Sequence, residues 1–76
     1  MSEKTLGQLI YETRRDCGYS QFQLGKLIGV TDKAISKWEN GDARPRFEHC
    51  IRLAEILGIS FDELIGSDKN NEQEED

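Results

Sequence analysis

The chain has 76 residues, room for one small domain that is stable only if its few core side chains pack well. Its two cysteines match neither a disulfide framework nor a metal-ligand spacing, no apolar run approaches the ~18 residues of a membrane span, and the Met1-Ser2-Glu3-Lys4 start is no signal peptide, so a cytoplasmic protein with reduced thiols is expected. A net charge of −5 speaks at first sight against a nucleic-acid partner.

The first helix is expected over 5–16. Thr5 and Gln8 have the spacing of a capping box, Leu6, Ile10 and Thr13 make an apolar stripe, and Gly18 follows where a left-handed closing residue is wanted. The second is expected over 20–28, opened by Ser20 with Gln23 and carrying Leu24 and Ile28 at i and i+4. A third, over 31–40, is capped by Thr31, anchored inward by Ile35 and Trp38, and closed by Gly41. Trp38 could stack on a base, but its helical spacing from Ile35 favours a core role.

The fourth helix is expected over 45–57, with Pro45 in its first turn and Phe47, Cys50, Ile51, Ala54 and Leu57 facing inward. His49 beside Cys50 is a poor chelating pair, because adjacent helical residues point about 100° apart. Gly58 ends this segment, and Ser60 with Glu63 opens a fifth helix over 60–65 that adds Ile59, Leu64 and Ile65 to the core. Linkers this short force successive helices to pack as neighbours at steep angles. No stretch shows strand alternation.

Beyond Gly66 the sequence has no apolar residue. Residues 1–66 are therefore read as one all-α domain and 67–76 as a disordered acidic tail, either solubilising or competing for a basic surface. That tail holds five acids against Lys69 and so carries most of the negative charge; residues 26–46 hold five bases (Lys26, Lys33, Lys37, Arg44, Arg46) against Asp32, Glu39 and Asp42. The middle of the chain is mildly basic.

The segment Gln21 to Asn40, QFQLGKLIGVTDKAISKWEN, meets the needs of two short helices crossing at about 90–120° through a tight turn. Gly25 is small where the second helix of the pair crosses the first. Gly29 is free to take positive φ, Val30 plugs the turn into the core, and Asp32, Lys33, Ser36 and Lys37 are left facing outward.

These spacings resemble the Cro/C1-type helix-turn-helix family, which includes the lambdoid phage repressors, the Cro proteins and the xenobiotic-response-element-type bacterial regulators. The matching residues are Ser20-Gln21, Leu24, Gly29-Val30, Ile35-Ser36, Trp38-Glu39-Asn40-Gly41, Pro45 and the run Leu-Gly-Ile-Ser-Phe-Asp-Glu-Leu over 57–64. The resemblance spans residues 6–65 and implies a compact five-helix lambda-repressor-like DNA-binding domain. It implies that Asp32, Lys33, Ser36 and Lys37 read base edges, with Ala34 at the margin, and that Gln21, Thr31, Asn40, Arg44 and Arg46 hold the DNA backbone, Gln21 also bracing the third helix. It also implies a partly buried structural ion pair between Arg14 and Glu39. The chain departs from the family at Gly25, where alanine is usual, at Asp32, an acid among base readers, and at Leu9, Phe22 and Leu27. These last three are apolar where the family is usually polar; they are read as scattered surface residues or as a patch for a partner subunit.

The expected function is transcriptional regulation, as a repressor, through double-stranded operator DNA, by a homodimer that forms at least on DNA, in the cytoplasm of a bacterium or with a phage genome. Dimer contacts are expected near Ile59 to Ile65. The competing reading is a protein-interaction module, antitoxin-like or anti-repressor-like, on the same fold. On the charges alone, Lys33 and Lys37 could equally pair locally with Asp32 or Glu39. No nucleophile–base pair, carboxylate pair, metal cluster or phosphate loop suggests an enzyme, a cofactor or a metal.

Overall fold

Hydroxyl caps set where four of the helices begin. Thr5 Oγ1 accepts from the Gln8 amide at 3.1 Å while Gln8 Oε1 accepts from the Thr5 amide at 3.0 Å, and Ser20 with Gln23 repeats the exchange at 3.0 and 2.8 Å. Thr31 Oγ1 takes the Ala34 amide at 3.2 Å and Ser60 Oγ the Glu63 amide at 3.1 Å. The computed structural model describes residues 4–71, and among them the chain is all α. The helices are α1 (Leu6–Cys17), α2 (Gln21–Ile28), α3 (Asp32–Asn40), α4 (Phe47–Leu57) and α5 (Phe61–Asn71).

Two boundaries differ from expectation. α4 begins at Phe47, not at 45: Arg46 is its N-cap, in extended backbone and without a side-chain cap bond. Pro45 therefore belongs to the preceding loop, which must first leave α3, where the Asp42 and Ala43 amides are tied to the Lys37 carbonyl at 2.9 and 3.3 Å. A fixed φ suits Pro45 to that extended link. At the other end α5 continues through Ser67 to Asn71, past the 66/67 boundary expected for an unstructured tail. Residues 72–76 of that tail lie outside the described residues.

One core joins all five helices: Leu6, Leu9, Ile10, Leu24, Ile35, Trp38, Cys50, Leu53, Leu57, Ile59 and Leu64. α1 packs against α3, α4 and α5 at once, so its buried arc is wide. That width buries Leu9 and corrects its reading as a surface or partner-facing residue. On α4 the buried stripe is Cys50, Leu53 and Leu57; Phe47 and Ile51, expected inside, face outward. Trp38 is a core residue and is not available to stack on a base.

Close crossings are made by glycine. A Cβ on Gly25 would lie 2.7 Å from the Val30 carbonyl oxygen, which accounts for the missing alanine. A Cβ on Gly7 would press into the carbonyl oxygens of both Trp38 and Glu39, where α1 crosses the end of α3. Neither oxygen can swing aside, so the overpacking cost exceeds the helix-propensity gain of about 1 kcal/mol. Gly7→Ala is expected to lower stability by about 1–2 kcal/mol in urea melts; an unchanged or raised midpoint would show that the crossing can open at no cost.

Candidate nucleic-acid interface

α2 and α3 meet through a turn built on Gly29, which takes φ 98° and gives its amide to the Gly25 carbonyl at 2.7 Å. The next amide, of Val30, shares that acceptor at 2.9 Å, and the Val30 side chain packs against the core. α3 is then fixed along its inner side by Ile35 and Trp38.

Its C-terminal half is held by a polar knot. Arg14 reaches Glu39 with two parallel bonds, Nε to Oε2 at 2.6 Å and Nη2 to Oε1 at 3.2 Å, and its Nη1 donates to the Tyr19 carbonyl at 2.9 Å. Gln21 Nε2 donates to Glu39 Oε1 at 3.0 Å. The side chains of Arg14 and Glu39 are 9% and 5% exposed, so α1, α2 and α3 are joined through a nearly dry charge pair whose geometry is bidentate.

Both Glu39 oxygens are engaged by Arg14 and Gln21, so this carboxylate is not turned to the outer side of α3. Asp32, Lys33, Lys37 and Asn40 are exposed, Ala34 and Ser36 are half-buried, and neither lysine takes part in an ion pair among the described residues. The local pairing that the charges alone allowed is thus absent. Lys33 and Lys37, four residues apart, share one side of the helix. Asp32 sits in its first turn, where the helix dipole favours an acid.

Gln21 and Thr31 stand at the starts of α2 and α3. The Thr31 hydroxyl is engaged in capping and the Gln21 amide in bracing Glu39. Arg44 and Arg46 are exposed on the loop that follows α3, Arg46 at the N-cap of α4. The predicted base and backbone contacts therefore lie on α3, on the helix starts at Gln21 and Thr31, and on the α3–α4 loop.

An apolar edge is exposed where α4 begins. Phe47 is 65% exposed and meets Phe61 edge-on, with ring centroids 5.5 Å apart at 85°, and Ile51 follows one turn along α4. Sequence reasoning put Phe47 and Ile51 in the core; reading 50, 53 and 57 as the buried stripe would have turned them outward. Phe22 and Leu27 are exposed on α2, with the Lys26 ammonium 5.5 Å from the Phe22 ring centroid. His49 lies against Trp38, centroids 5.4 Å apart, and no group of three or more His, Cys, Asp or Glu among the described residues could hold a metal ion.

A family model described as helix-turn-helix matches residues 10–64. The chain belongs to the helix-turn-helix family. Within it, the chain is 34% identical over 68 residues to repressor protein C2 of Salmonella phage P22, covering 90% of this chain and 32% of that protein. It is 32% identical over 62 residues to the cryptic phage CTXphi transcriptional repressor RstR of Vibrio cholerae, covering 82% of this chain and 55% of that one. This helix-turn-helix chain thus spans from about a third to about half the length of these relatives. Among solved structures, the P22 c2 repressor in complex with a synthetic operator superposes with a TM-score of 0.80 at 33% identity, over 87% of this chain and all of that one. The solution structure of the DNA-binding domain of the same repressor gives 0.79 at 34% identity. The five-helix arrangement is therefore the lambda-repressor-like one.

Proposed function

We propose that this helix-turn-helix chain is a transcriptional regulator, acting as a repressor, that places α3 in the major groove of a double-stranded DNA operator. The observation that carries the reading is the pair of exposed ammonium groups, in no ion pair among the described residues, on the outer side of a helix whose inner side is locked by Ile35, Trp38 and Glu39. Asp32, Lys33, Ser36 and Lys37 face the bases, and Gln21, Thr31, Asn40, Arg44 and Arg46 face the phosphates. The similarity to a repressor solved on its operator supports this assignment. The setting is the bacterial cytoplasm, at the nucleoid.

The test is selection from random duplexes by the purified protein, read by fluorescence anisotropy at about 50 and 200 mM salt. Convergence on a two-fold symmetric site, with affinity falling steeply as salt rises, is the expected result. A pool that stays random at the lower salt would transfer the weight to a protein-interaction module, for which exposed Phe22 and Leu27 on α2 offer a surface.

One reading head touches few base pairs, so we propose a homodimer on half-sites about 34–36 Å apart. The Phe47–Phe61 edge, continued by Ile51, is the apolar surface that a second copy would cover; of the 59–65 stretch only Phe61 belongs to it, because Ile59 and Leu64 are buried in the core. Phe47→Lys is expected to leave folding and single half-site binding intact and to weaken the full site by about 100-fold through lost bivalency. Equal affinities for the full site in a gel-shift titration would place the dimer contact elsewhere.

A further inference from the structure

The outer side of α3 has a donor pattern that one base satisfies best. A lysine ammonium carries three donors and no acceptor. In the major groove, guanine offers two adjacent acceptors, O6 and N7, whereas adenine sets a donor beside its N7, cytosine presents a donor, and thymine sets a methyl beside its O4. Lys33 and Lys37 are exposed and, among the described residues, in no ion pair, so each brings a full charge to the groove. Ala34 and Ser36, the residues next to them, are small and half-buried, which lets the helix approach base edges closely. Four residues correspond to about 6 Å along the helix, roughly two base-pair steps of ~3.4 Å.

We propose that Lys33 and Lys37 each read a guanine, so that the preferred half-site carries two guanines within about three base pairs of each other. Asp32, which can only accept, turns the position it faces away from guanine and toward the exposed amino group of cytosine or adenine. This inference rests on the operator-binding reading and specifies what that same surface recognises.

The test takes the half-site selected by the wild-type chain and measures binding of wild type, Lys33→Ala, Lys37→Ala and the two Lys→Arg variants to it and to its single guanine-to-adenine changes. The expected wild-type preference for guanine is about 5- to 150-fold at each of two positions. Each alanine variant loses that preference at one position and keeps it at the other, while arginine, which also pairs with guanine O6 and N7, restores it. A converged half-site with fewer than two guanines in that span would overturn the inference and leave operator binding standing. So would alanine variants that weaken every sequence equally, because that is how a phosphate contact behaves. A pool that never converges removes the operator-binding reading itself, and the inference falls with it. The variants alter exposed positions only, and matching thermal melts separate lost reading from lost fold.

Discussion

Arg14→Met is expected to destabilise the domain by about 3–5 kcal/mol, a large part of the about 4–11 kcal/mol that a chain of this length can be expected to have. The substitution leaves Glu39 almost out of contact with water, with only the Gln21 amide to offset its charge. It also frees the Tyr19 carbonyl, which Arg14 Nη1 holds at 2.9 Å. The single change therefore costs more than the pair contributes, because its main effect is an uncompensated buried carboxylate. Arg14→Met combined with Glu39→Leu is expected to recover most of the loss, since a well-packed apolar pair often replaces a buried ion pair at little cost. Urea denaturation of the wild type, both single variants and the double variant closes the cycle. A cost under about 1 kcal/mol for Arg14→Met would mean that the pair is screened as an exposed one is, and the knot would lose its structural role.

The second large effect concerns the face on which α4 is buried. Leu53 is 0% exposed and Ile51 39% exposed. Leu53→Ala is expected to cost about 2–5 kcal/mol and Ile51→Ala under about 1 kcal/mol, the first leaving a cavity and the second trimming a surface. Comparable losses for the two would mean that α4 sits rotated about its axis, and that the Phe47–Phe61 edge belongs to the core.

That contrast also marks what the sequence could tell. Helix starts were legible to within a residue or so at Thr5, Ser20, Thr31 and Ser60, because in each case the cap is a local hydroxyl-to-amide bond between residues three apart. The start of α4 was not, because Arg46 makes no side-chain cap bond and the loop before it is positioned by amides reaching back to Lys37. Leu53 and Leu9 were missed as core for a different reason. Several apolar stripes fit one short helix, and the choice among them is made by which neighbours cover it. For α1 those are α3, α4 and α5 together, which no local pattern reveals. Gly7 carried no signal at all, since its role depends on two carbonyl groups about thirty residues further along the chain. At the candidate interface the spacing gave the residue types, but whether Lys37 was neutralised by Glu39 depended on Arg14 and Gln21 reaching that carboxylate first.

The division of labour along α3 has a consequence for how such a protein changes over time. Ile35, Trp38 and Glu39 are spent on the body of the protein, whereas the side chains of Asp32, Lys33 and Lys37 are exposed and, among the described residues, join no ion pair. Exchanges at those outer positions leave the scaffold's stability nearly untouched. A lineage can therefore drift from one DNA address to another by single steps, each intermediate remaining a folded protein, and duplicated copies can part ways without passing through a broken ancestor.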